Sequence, residues 1–114
     1  MLTVEYFPRV PALSFTGHAG SGPYGEDLVC AGASALFFTL IRCLDRLDDE
    51  FEVEVFKYGD RINITLDPPL YLRHDARLLL GAFAGGFEML GEKYPENVKY
   101  VKDPPVTAEE EDQS

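Results

Sequence analysis

Apolar residues in this chain recur at every second position, then at every third or fourth, and the whole succession is then repeated. A strand shows alternate residues to one face and a helix about every 3.6th, so the pattern predicts the order ββα-ββα. Leu2, Val4 and Tyr6 alternate with Thr3, Glu5 and Phe7. Pro8 and Pro11 mark a turn, and Ala12 to about Gly17 completes a hairpin. The next stretch, HAGSGPYGED, carries Gly20, Gly22, Pro23 and Gly25, which break both periods and predict a loop. From Asp27, a natural N-cap, the residues Val29, Ala33, Leu36, Phe37, Leu40, Leu44 and Leu47 form a helical stripe that ends in Asp48, Asp49 and Glu50.

The second half repeats this logic. Phe51 to Tyr58 and Arg61 to Leu66 flank Gly59-Asp60, a pair suited to a two-residue II′ turn. Pairing Tyr58 with Arg61 sets Val55 opposite Ile64 and Val53 opposite Leu66 on a core face. Glu54 then opposes Thr65, and Phe56 opposes Asn63, on the other face. After Pro68-Pro69 a second helical stripe from about Leu70 to Tyr94 contains Leu72, Ala76, Leu79, Phe83, Phe87 and Leu90. Gly85-Gly86 within it predicts close packing or a bend. Pro95 ends it, and Val98 to Val101 reads as a short edge strand. The expected fold is α+β, with two main helices packed on a mainly antiparallel sheet. It forms one domain over residues 1–102, followed by an acidic, disordered tail over residues 103–114.

Charge narrows the partners. Twenty acidic and ten basic residues leave a net charge of −10. Long-range electrostatics therefore oppose direct binding to nucleic acid or to an anionic membrane and favour a basic partner. No apolar run is expected to reach the ~18–20 residues that cross a bilayer. The opening residues lack the charged n-region of a signal peptide, so the expected location is the cytoplasm. Cys30 and Cys43 fall on one predicted helix, roughly 20 Å apart, which excludes a disulfide between them and predicts free thiols.

The chemistry-bearing residues gather around the glycine-rich loop. His18 ends a strand and Cys30, twelve positions on, falls in the first turn of the predicted helix. Unpaired amides and the positive helix end there favour the thiolate. A Cys/His pair supplies a nucleophile and a general acid, and helix amides can receive an oxyanion. Ser34 shares the helix face of Cys30. Taken residue by residue, a packed cysteine and a surface or capping histidine are the commoner explanation of the same positions. Cys43 reads as a packing residue and His74 as an exposed one. Two histidines and two cysteines scattered over 18, 30, 43 and 74 match no metal spacing, and GSGPYG lacks the ending of a P-loop, so neither metal nor cofactor is expected.

Taken together, GHAGSGPYGEDLVCAGASAL, from Gly17 to Leu36, resembles the signature of the ribosomal-processing cysteine protease (Prp) family. The matching parts are Gly17-His18-Ala19, the glycine-containing loop, Gly25-Glu26-Asp27-Leu28-Val29-Cys30-Ala31, and Ser34-Ala35. The resemblance extends to element order and to Glu92-Lys93-Tyr94-Pro95, covering about residues 1–102. It departs at Gly32-Ala33, where the family more usually carries bulkier residues. The resemblance implies that Cys30 is the nucleophile and His18 its partner, with Asp27 and Ser34 in supporting roles. Gly20, Ser21, Gly22, Pro23, Tyr24 and Gly25 would form a loop over the substrate. It also implies a homodimer, and as substrate the N-terminal extension of large-subunit ribosomal protein twenty-seven. A different class of reading is a non-enzymatic acidic protein that binds a basic ribosomal partner, with Cys30 merely packed. A structural subunit remains a third.

Overall fold

The computed structural model describes residues 1–17, 24–47, 54–58, 61–66 and 73–104, with backbone only for 24–27 and 54–58. The order is β1 (Leu2–Phe7), β2 (Ala12–Gly17), α1 (Tyr24–Leu47), β3 (Glu54–Tyr58), β4 (Arg61–Thr65), α2 (His74–Lys93) and β5 (Val98–Lys102). The strands form one sheet in the order β3-β4-β2-β1-β5. Every neighbouring pair is antiparallel except β1 and β5, so the sheet is mixed but mainly antiparallel, as the alternation predicts. The second hairpin keeps its predicted register, with Tyr58 opposite Arg61, Val55 opposite Ile64, Phe56 opposite Asn63 and Glu54 opposite Thr65. Val53 lies outside the described residues.

Alternation along β1, β2 and β4 sends Leu2, Val4, Leu13, Phe15 and Ile64 to one face, where the helices cover them. From α1 the buried contributors are Val29, Ala33, Leu40 and Leu44, all on the predicted stripe. On α2 they are Ala76, Leu80, Ala84, Phe87 and Leu90. The expected Leu79 and Phe83 are only partly buried, which rotates the stripe slightly toward Leu80 and Ala84. Gly86 accounts for this rotation, because a Cβ there would meet the δ carbons of Leu36 at 3.1 and 3.2 Å. The helices cross where one of them has no side chain. Gly85, by contrast, faces open space.

Phe15 joins the layers. Its ring packs edge-on against Phe37 of α1 at 5.4 Å and against Phe87 of α2 at 5.0 Å. Such pairs contribute beyond their buried area by ~0.5–1.5 kcal/mol.

Three expectations change. First, α1 starts at Tyr24, so Asp27 lies inside the helix instead of capping it. Second, α2 starts after Arg73, whose extended backbone (φ −82, ψ 126) precludes a helix running through from Leu70. The Arg73 guanidinium grips Asp75 at 2.8 and 3.1 Å, and Asp75 Oδ1 accepts the Ala76 N–H. That hydrogen bond to Arg73 holds the Asp75 carboxyl below its ordinary value. Third, Leu28–Leu47 is long and apolar enough to cross a membrane, against the expectation that no run reaches that length. The small residues between the leucines raise its apolar character, while its inner stripe packs in the core. Just past β5, the Asp103 N–H donates to Tyr6 O at 2.6 Å with Asp103 at φ 54. The acidic segment 105–114 lies outside the described residues, as do 48–50.

Because Phe87 is wholly buried and touches Phe15, Phe87→Ala is expected to lower unfolding free energy by about 3–5 kcal/mol. Urea denaturation followed by circular dichroism measures it, and a loss below about 1 kcal/mol would contradict this account of the core.

Candidate active site

Two segments bring the candidate residues together in the chain: the end of β2 and the beginning of α1. β2 closes at Gly17 with φ +83, a conformation L side chains rarely adopt. A Cβ at Gly17 would also collide with the Met1 carbonyl oxygen. Gly17 therefore turns the strand end where a larger residue cannot. His18 follows directly, but it lies outside the described residues together with Gly20, Ser21, Gly22 and Pro23. Tyr24 and Gly25, expected in the substrate loop, instead belong to the first turn of α1.

Cys30 is the seventh residue of α1, in its second turn, not at the third position as expected. The helix-end field falls off within the first turn, so the activation assigned to it from the sequence is weaker at Cys30. The helical amides left without intrahelical acceptors are those of Tyr24, Gly25 and Glu26, one turn ahead of it. A helical side chain leans toward the N-terminus, so the Cys30 thiol overlies the turn that carries them. Cys30 is half-buried and packs against the core, and Ser34, one turn on, is exposed. Asp27 is placed by its backbone alone. Cys43 is also a half-buried free thiol, and His74 is exposed at the start of α2.

Gly32 has nothing within 4 Å of the position a Cβ would take, so its departure from the bulkier family residue reflects vacant space, not a tight contact. Among the described residues no cluster of three or more His, Cys, Asp or Glu is placed to hold a metal ion.

The family model described as cysteine protease Prp matches residues 3–99. The chain belongs to the Prp family of cysteine proteases. The ribosomal processing cysteine protease Prp of Staphylococcus aureus is 30% identical over 100 residues, covering 86% of this chain and 92% of the relative. The crystal structure of the essential S. aureus ribosomal processing protease Prp, with a covalently linked product peptide, superposes with a TM-score of 0.73 at 26% identity. It covers 90% of this chain and 99% of that one. A Streptococcus mutans protein of known crystal structure gives a TM-score of 0.67 at 31% identity, covering 89% and 92%. The α+β arrangement is thus the Prp fold, and the matched region spans Cys30, Ser34 and both helices.

α1 also presents a second apolar face that the core stripe concealed in the sequence. Leu28 and Phe38 are 61% and 67% exposed, and the exposed Ala31 and Ala35 lie between them at three- and four-residue spacing.

Gly17→Ala is expected to destabilise the protein, since the left-handed conformation alone costs about 1–2 kcal/mol and the Met1 carbonyl blocks the methyl. Scanning calorimetry should show Tm reduced by at least ~5 °C. Gly32→Ala, into open helix surface, should leave Tm level or raise it. Equal effects of the two would refute the role given to Gly17.

Proposed function

We propose that this Prp-family protein is an endopeptidase that removes the N-terminal extension of large-subunit ribosomal protein twenty-seven, with Cys30 and His18 as its catalytic dyad. What carries the reading is the covalently linked product peptide in the S. aureus relative, together with a match that runs through Cys30. A covalent product requires a nucleophile, and Cys30 is the cysteine within the Gly17-to-Leu36 signature.

In this mechanism the Cys30 Sγ attacks the scissile carbonyl carbon, and its thiol proton passes to His18. The carbonyl oxygen becomes an oxyanion, and the unpaired amides of the first turn of α1 provide donors for it. Collapse breaks the C–N bond, and the leaving amine takes the proton from His18. Water, deprotonated by His18, then hydrolyses the thioester and returns the thiol. Ser34 and Asp27 support the geometry, and residues 20–25 approach the substrate. A chain of net charge −10 attracts a basic ribosomal protein, with an attraction that weakens as salt rises. Free cysteines suit the reducing cytoplasm where ribosomes assemble.

The active form is a homodimer joined through the outer face of α1. Leu28, Ala31, Ala35 and Phe38 make an apolar stripe that a second copy can cover.

Cys30→Ala and His18→Ala should each abolish cleavage of the extended ribosomal protein, with the double variant no worse than either single one. Ser34→Ala should cost about tenfold at most, as the loss of one hydrogen bond of about 1 kcal/mol does. Mass measurement of the product decides this, and processing by Cys30→Ala at the parent rate would make Cys30 structural and favour an acidic binding protein.

Phe38→Glu is expected to convert the dimer to a monomer in light scattering without loss of helix content, because the ring is largely exposed within one chain. An unchanged mass would remove α1 as the interface.

A further inference from the structure

A cleft of about 460 Å³ opens between the C-terminal half of α2 and β5 and reaches Met1, whose carbonyl abuts Gly17. Its helix wall carries Glu88 and Glu92, four residues apart and so on one side of α2 about 6 Å from each other along the axis. Between them comes Gly91, where a Cβ would lie 3.4 Å from Tyr100 Cβ and 3.5 Å from the Val98 carbonyl oxygen. The absence of a side chain at Gly91 lets the strand approach and leaves the two carboxylates flanking a narrow groove. The other wall is Val98 and Tyr100, with Met1 and Pro95 at one end.

Both glutamates are exposed. Tyr100 is half-buried, and burial, followed by the nearby charge of Glu88 and the presence of Tyr6, pushes its phenol up to about 12. The ring therefore stays neutral. Two cationic groups also line the cleft, Lys99 and the N-terminal residue Met1. Strand alternation directs Lys99 away from the side shared by Val98 and Tyr100, and Met1 is held near Asn97 through the Leu2 N–H bond to Asn97 O. The end of the cleft with Glu88 and Tyr100 is thus the more negative.

We propose that this cleft is a docking site for a lysine- or arginine-bearing segment of a protein partner. The aliphatic stem of the basic side chain lies on Tyr100 and Val98, and its charged end sits between Glu88 and Glu92. A basic protein substrate would be tethered by one segment here while another reaches Cys30. Only that biological role rests on the protease reading, since the cleft and its carboxylates stand without it.

The test is titration of the isotope-labelled full chain with an acetylated, amidated peptide containing Lys-Arg-Lys, and with its Gln-Gln-Gln counterpart. The amides of Glu88, Gly91, Glu92 and Tyr100 should shift with the basic peptide alone, and the shifts should fade as salt rises. The variant carrying Glu88→Gln and Glu92→Gln should bind it roughly fivefold more weakly, as two exposed ion pairs allow, while its spectrum shows an intact fold. Equal binding by the variant, equal binding of the neutral peptide, or shifts confined to other regions would each overturn the proposal. Cleavage assays on the same samples separate the two ideas. Binding at the cleft without any cleavage by the parent chain refutes only the protease reading, and cleavage without shifts at the cleft refutes only the docking site.

Discussion

The contact on which the rest of this structure depends is the ring of Phe15, set edge-on between Phe37 and Phe87 at 5.4 and 5.0 Å. It is where a central strand, the helix that carries Cys30 and the second helix meet. Phe15 lies two residues before Gly17, and Phe37 lies two helical turns after Cys30. From that one contact, β2 runs toward its exit and α1 runs back toward its start, the two ends that the signature stretch connects. Fixing the aromatic contact therefore restricts where the strand end and the thiol can lie relative to each other. A close-packed core transmits such restrictions because it has little free volume in which to relax.

The second helix serves this contact from behind. Gly86 lets it approach Leu36 of α1, and the Arg77 guanidinium donates to the Pro8 carbonyl oxygen at 3.0 Å, tying α2 to the first hairpin turn. The parallel strand β5 then closes the far side of β1, with the Leu2 N–H donating to Asn97 O and the Asp103 N–H to Tyr6 O. α1 is thereby packed from within and open on its outer side. One helix combines a core stripe, a candidate nucleophile and an apolar face suited to a partner because their residues occupy different sectors of the same 3.6-residue period.

Acidic character has a consistent physical role across the surface. Carboxylates at Glu88 and Glu92 stand beside a neutral tyrosine instead of beside paired arginines, so their field reaches solvent. Asp75, by comparison, is neutralised by Arg73 next to it. The proposed docking of a basic segment rests on this difference between the two sites, and the range of such an attraction is set by salt.

Much of this was legible in the residues themselves. Alternation in Leu2–Phe7 and Ala12–Gly17 predicts the first hairpin, and in the second the expected register holds from Tyr58 opposite Arg61 to Glu54 opposite Thr65, because a slip by one residue would turn every apolar side chain outward. The Gly17-to-Leu36 signature likewise determined which cysteine and histidine to examine. The start of α1 was not legible, since Gly25 reads as a breaker although it lies in the first turn, and this moved Cys30 from the first turn to the second. Nor could periodicity show that β5 lies parallel to β1, that Gly86 instead of Gly85 meets α1, or that Glu88 and Tyr100 line one cleft. Those are pairings between distant segments. Local sequence determines which face of an element is apolar, but only the packed tertiary structure decides which faces meet.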